Sequence, residues 1–160
     1  MSVNHQSMNS SPSYAIYLPS TLAGAKQHTI TSLLRLLPPN VINDIQTAET
    51  TKEDVKDTEQ TVINIKDIVD GRNLACPMPL LKTKVALRGV ANGESLYVVA
   101  TDPNSQADIA AFCQQTRQAH ASEQLLLAIN QTSEQQSNDS TLPTPSDTIF
   151  HFIITKTDSI

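Results

Sequence analysis

The sequence predicts an α/β fold of the α+β kind: a two-layer sandwich, βαβαββ, with a four-stranded sheet and two helices on one face. Three observations predict it. Four stretches of strand length, rich in β-branched or apolar residues, lie at Val62–Val69, Leu96–Ala100, Leu125–Ile129 and Thr148–Lys156. Two stretches with helical spacing separate the first three of them. Nearly all of these signals fall within residues 61–157, whereas residues 1–60 are largely polar.

In order, the first strand ends in the turn Asp70-Gly71-Arg72-Asn73. The first helix is predicted over Pro79 to Ala91. Leu80, Thr83, Ala86, Leu87 and Val90 share one arc and form its core face. Leu81 and Val85 make a second small apolar strip beside Lys82, Lys84 and Arg88; cover by a loop and use as a docking surface are both open. Asn92-Gly93 ends this helix, as glycine does after a C-cap. In the second strand Leu96, Val98 and Ala100 share one side. Asp102-Pro103 turns the chain, and Ser105 with Asp108 three residues on resembles a capping box. The second helix runs to about Arg117 and buries Ile109, Phe112 and Cys113. After the third strand, the polar stretch Gln131 to Asp147 reads as a mobile loop. The fourth strand alternates Ile149/His151/Ile153 with Phe150/Phe152/Ile154. Both helices then cover one face of the sheet.

Residues 1–60 read as an N-terminal extension, largely disordered. Asn4 to Ser13 is rich in Ser, Asn and Gln, and Thr47 to Gln60 is polar and acidic. Between them Ile30, Leu33, Leu34 and Leu37 fall on one helical face, predicting a short helix at 30–37 stopped by Pro38-Pro39. Docking on the rest of the domain, binding a partner and staying unfolded as a weakly structured extension are all consistent with it.

Composition narrows the function. The net charge of −5 over 160 residues argues against nucleic-acid binding through an extended basic surface. No apolar run reaches the roughly 18 residues of a membrane span, and the N-terminus lacks the basic and apolar regions of a secretion signal. Two cysteines do not make a disulfide framework. A cytoplasmic, reducing location is the expectation, where a reactive thiol persists.

Cys76-Pro77-Met78-Pro79 carries the chemistry. Proline fits the first turn of a helix and biases the residue before it toward extended backbone. Cys76 and Met78 are therefore expected to be extended, with the helix starting near Pro79. That places the thiol at the positive end of the helix dipole, near the free N–H groups of Leu80 and Leu81. Such a site lowers a cysteine pKa from about 8.5 into the range of about 3.5–7.5. Cys76 thus reads as a nucleophile or sulfur-bearing residue rather than a buried structural thiol. Cys113, on an apolar arc with Ile109 and Phe112, reads as packing. Pro79 occupies the second position of what would be a C-x-x-C pair, which disfavours dithiol redox chemistry. His5, His28, His120 and His151 show no metal-ligand spacing, and nothing in the sequence places a His or Asp beside Cys76 as its base. No phosphate-binding or dinucleotide glycine motif occurs. No cofactor or metal is assigned, and Cys76 is the one catalytic candidate. Lys82, one turn into the helix, is read as a solvated charge able to help hold an anion.

The run from Asp70 through Gly71-Arg72-Asn73-Leu74-Ala75-Cys76-Pro77-Met78-Pro79-Leu80-Leu81-Lys82-Thr83-Lys84 resembles the signature of the TusA/SirA-like sulfurtransferase family, close to D-x-x-G-L-x-C-P-x-P-L-L-K-x-K. Thr101-Asp102-Pro103-Asn104-Ser105, Asp108-Ile109 and Phe112-Cys113 echo a second family motif, T-D-P-x-S-x-x-D-I-x-x-F-C. The likeness covers about residues 62–156. It implies a sandwich similar to the C-terminal domain of bacterial translation initiation factor three, and a persulfide on Cys76. It further implies a cysteine desulfurase or other sulfur donor, a downstream acceptor protein, and end products such as 2-thiouridine in tRNA. From charge and hydropathy, no direct contact with nucleic acid or membrane is expected. Asn73 stands where the family has glycine, and asparagine tolerates the positive φ such a turn needs. Ala119 precedes His120 where Gly-His is usual, and the loop 131–147 is longer than usual. The contrasting reading is a non-catalytic regulatory or interaction module on the same fold.

Overall fold

The computed structural model describes residues 14–47, 61–118, 123–134 and 148–158. They form β1 (Tyr14–Leu18), α1 (Gly24–Leu34), β2 (Ile42–Thr47), β3 (Thr61–Gly71), α2 (Met78–Leu87), β4 (Ser95–Ala100), α3 (Asn104–Gln118), β5 (Glu123–Glu134) and β6 (Thr148–Asp158). All six strands join one mixed sheet in the order β2-β1-β3-β4-β6-β5. β2, β1, β3 and β4 run parallel; β6 pairs antiparallel with both β4 and β5.

This corrects the expected four-stranded, two-layer sandwich. The third layer follows from handedness. The crossover β1-α1-β2 moves away from the sheet centre, toward one edge. The crossover β3-α2-β4 moves the opposite way. Right-handed crossovers in opposite directions place their helices on opposite faces. The core divides accordingly. Ile30, Leu33, Leu34 and Leu37 pack with Ile16, Leu18, Ile63, Ile65, Tyr97 and Val99 in one cluster. Leu87, Ile109 and Cys113 pack with Leu96, Val98, Ala100, Phe152 and Ile154 in the other. β4 is buried along its whole length because its alternate side chains enter different clusters.

The segment expected to be largely unstructured thus supplies β1, α1 and β2. Its four apolar residues are buried as a group, but α1 begins earlier than the predicted 30–37 helix and stops at Leu34. Residues 1–13 and 48–60 lie outside the described residues. Two bulges reset which side chains face which layer. One extra residue in β3, between Ile65 and Asp67, puts Ile63, Ile65 and Ile68 on the α1 side and Val69 on the other. A second, between Leu127 and Ile129, does the same in β5. β5 continues through Gln131 to Glu134, so the first four residues of the predicted loop at 131–147 are strand; residues 135–147 lie outside the described residues. α2 ends at Leu87 rather than Ala91. Gly93 serves the turn into β4, at φ 87, and donates its N–H to the Lys156 carbonyl at 2.7 Å. No helix among the described residues is long and apolar enough to cross a membrane.

Candidate functional site

Three pieces of chain meet at the carboxyl ends of β3 and β4. The β3–α2 turn brings Cys76, the segment after β4 brings Thr101 and Asp102, and the second turn of α3 brings Asp108. The turn is held from β4's end. Asn73 sits at φ 67, as its residue type allows, and donates its N–H to Thr101 Oγ1 at 2.8 Å. Gly71 lies so close to β4 that a Cβ there would stand 2.9 Å from the Val99 carbonyl oxygen and 3.2 Å from Pro79 Cβ. Asp102 ties the three segments together. Its Oδ2 accepts the Cys76 N–H at 2.5 Å, and its Oδ1 accepts the Asn104 N–H at 3.1 Å. Asp102 therefore holds the start of α3, a role the sequence assigns to Ser105. The Ser105 hydroxyl is buried with no hydrogen-bond partner among the described residues.

Cys76 is exposed, and its Sγ donates to Asp108 Oδ2 at 2.6 Å. Both expectations about this thiol change. Carboxylates do stand beside it, although the sequence places none there. Its pKa is raised rather than lowered. The hydrogen bond to Asp108 is the largest cause, followed by desolvation and then by the charges of Asp108 and Asp102. The dipole argument weakens for a structural reason as well. α2 starts at Met78, not Pro79, with Pro77 as its cap residue and no side-chain cap. Met78 donates its N–H to the Ala75 carbonyl at 2.9 Å and Leu81 to the Pro77 carbonyl at 3.0 Å. Pro79 has no N–H at all. The helix end thus offers the sulfur fewer free donors than the spacing suggests. Asp102 and Asp108 are legible only through the second motif; their side chains come from 26 and 32 residues away in the chain.

Cys113 is buried in the core on α3, as expected. Lys82 is exposed, while Lys84 lies over the Phe112 ring with Nζ 5.2 Å from its centre. From its first residue onward, α2 presents Met78, Leu81 and Val85, which are 43%, 46% and 61% exposed. They border a shallow groove of about 550 Å³ with Ile68 and Ala86. No described residue covers this strip, and α1, whose apolar side faces the other cluster, does not reach it.

Comparison with known proteins converges on the same segment. The family described as "Sulfurtransferase TusA" matches residues 67–124, which run from the second half of β3 through α2, β4 and α3 to the start of β5. "Sulfur carrier protein TusA" of Allochromatium vinosum is 44% identical over 48 residues, 30% of this chain and 63% of that protein. "Putative sulfur carrier protein YrkF" of Bacillus subtilis is 43% identical over 49 residues, 31% of this chain and 26% of that protein. "Putative sulfur carrier protein NMA0882" of Neisseria meningitidis serogroup A is 42% identical over 50 residues, 31% of this chain and 68% of that protein. The chain therefore matches less than two thirds of the length of the first two relatives and just over two thirds of the third. With the paired motifs, the matching segment and these identities together, the chain belongs to the TusA-like sulfur carrier family.

Proposed function

We propose that this protein is a sulfur carrier that accepts sulfane sulfur as a persulfide on Cys76 and relays it to an acceptor protein. One observation carries the reading: a solvent-exposed thiol stands just before α2, whose exposed apolar strip starts at Met78, while Cys113 is buried. A carrier needs one accessible sulfur that a partner can approach. It also needs no neighbouring thiol, which would expel the bound sulfur by closing a disulfide. The donor class proposed is a cysteine desulfurase or another protein persulfide. An onward path to 2-thiouridine in tRNA is the end product that the family likeness suggests. Residues 61–157 hold every residue of the site and constitute the carrier unit; residues 14–47 are a βαβ addition that completes the core behind it.

The test is direct. Reduced full-length protein incubated with cysteine and a cysteine desulfurase gains the mass of one sulfur atom, mapped to Cys76, and Cys76→Ser gains none. Equal gain in both proteins, or none in the wild type, would leave the interaction-module reading as the better one.

A further inference from the structure

The sulfur-bearing residue of a carrier has to lose a proton when it attacks, and the surroundings of Cys76 hold that thiol protonated rather than ionised. The carboxylates facing it are Asp108 from α3 and Asp102 from the segment before it. α2 brings no acidic residue in its first turn, and its nearest cation, Lys82, is exposed. Asp102 is occupied at both oxygens, by the N–H groups of Cys76 and Asn104. Asp108 differs. It sits in the second turn of α3, too far along to cap that helix. Its Oδ2 instead receives the S–H of Cys76 at 2.6 Å, within the reach a proton acceptor needs.

We infer that Asp108 is the proton acceptor for Cys76 during sulfur uptake, with Asp102 as the positioning residue that anchors the Cys76 backbone. The inference rests on the persulfide reading of Cys76. In the step, the donor is a protonated persulfide, R–S–SH. The Cys76 Sγ–H bond breaks and its proton passes to Asp108. The freed electron pair forms a bond from Sγ to the donor's outer sulfur. The donor's S–S bond breaks, and its inner sulfur leaves as a thiolate, R–S⁻. Cys76 then carries –S–SH and Asp108 is protonated. The net charge is unchanged, and the sulfane sulfur keeps its oxidation state, so no oxidant or reductant is needed. In onward transfer an acceptor thiolate attacks the outer sulfur, and Asp108 returns the proton to the departing Cys76.

This assignment makes two readouts move in opposite directions. With Asp108→Asn or Asp108→Ala, the carboxylate that holds the thiol protonated is gone. The pH midpoint of alkylation by iodoacetamide therefore falls, and alkylation at pH 7 speeds up. Sulfur uptake from glutathione persulfide, followed as the mass gain of one sulfur, slows by about 10²-fold, the usual contribution of general acid–base catalysis. Added formate restores uptake in Asp108→Ala without reversing the alkylation profile, and Asp108→Glu retains uptake within about tenfold of wild type. Alanine is the best helix former, so Asp108→Ala keeps α3 intact. If uptake rises together with alkylation, or does not change, Asp108 is only an electrostatic restraint and the inference is overturned. Loading of Cys76→Ser equal to wild type would instead remove the persulfide reading itself, which separates the two failures.

Discussion

The two faces of the sheet are built from unlike material. On one, α2 and α3 come from the segment that carries both motifs, and they deliver Cys76, Asp102 and Asp108 to a single point. On the other, α1 packs Ile30, Leu33 and Leu34 against the backs of the same strands and contributes nothing to that point. Tyr97 and Val99 lie between Leu96, Val98 and Ala100 in β4, yet face the opposite layer. The candidate site thus lies on one face, while the buried core draws on both. An apolar face of this kind left in water would forgo about 25 cal/mol per Å² and invite association.

Removing residues 1–58 breaks the comparison most severely. It strips α1, β1 and β2 from Ile63, Ile65, Tyr97, Val99, Ile129, Ile149 and Ile153, and exposes the edge of β3. The expected outcome is a fall of more than about 10 °C in melting midpoint, with concentration-dependent aggregation, since about 1 kcal/mol corresponds to a few degrees in a chain of this size. Thermal melting and light scattering check it. A truncated protein that melts like the whole one would show that the α1 layer is dispensable.

Single core substitutions sharpen the same contrast. Leu34→Ala and Ile109→Ala remove buried side chains, at 1% and 0% exposure, from opposite faces. Each is expected to cost about 2–5 kcal/mol in urea denaturation. Only Ile109→Ala should also shift the alkylation profile of Cys76, because Ile109 follows Asp108 on α3. An equal shift from Leu34→Ala would mean that the α1 layer acts on the site after all.

The site face was more legible than its partner, and the reasons are physical. Cys76, its two prolines and the arc of Thr83 and Leu87 read directly, because local backbone rules and helical spacing act over a few residues. The Asp108–Cys76 contact did not, because it depends on how β3 and β4 pair across the intervening helix. For the same reason the sign of the thiol shift was wrong: the dipole is a local effect, whereas the carboxylates arrive by tertiary packing. β2 is hard to read because INDIQT is mostly polar; β1, Tyr14–Leu18, is apolar and has strand character, but it adjoins the polar Asn4–Ser13 stretch and its partner strands are distant in the chain. β2, an edge strand, buries only Ile42 fully, so alternation is faint there. The four apolar residues of the α1 segment did read as one face. What they pack against was not readable, since that depends on the direction of the β1–β2 crossover.

The α1 side carries a pH dependence of its own. His151 is fully buried, with Nδ1 2.7 Å from the Tyr97 hydroxyl and Nε2 2.7 Å from Ser133 Oγ. Burial lowers its pKa from 6.5 to about 4. The unfolded chain therefore binds the extra proton between those values and the folded one does not. Stability from this group is fully present above about pH 6.5 and is lost as the pH falls toward 4, to a total of about 3 kcal/mol. Urea denaturation at pH 7 and pH 4.5 should show wild type losing about 2–3 kcal/mol more than His151→Gln across that window. Parallel losses in the two proteins would mean that His151 is protonated in the folded state.

The smallest expected effect on stability is the one that tests how the site face is used. Val85 is 61% exposed and Leu81 46%, and with Met78 at the start of α2 they line one groove. A substitution at such a position usually changes stability by no more than about 0.5 kcal/mol. Val85→Asp should therefore melt like wild type and accept sulfur from glutathione persulfide at the wild-type rate, since a small donor needs no docking surface. Uptake from a protein donor is different. Seating an apolar strip against a partner requires it to leave water, and a carboxylate at its centre must then be buried unpaired. Uptake from a cysteine desulfurase by Val85→Asp should fall about tenfold or more, corresponding to a loss of about 1.4 kcal/mol or more in the encounter complex. Equal rates from the protein and the small donor would show that partners approach Cys76 from another side, and would leave the strip as ordinary exposed surface.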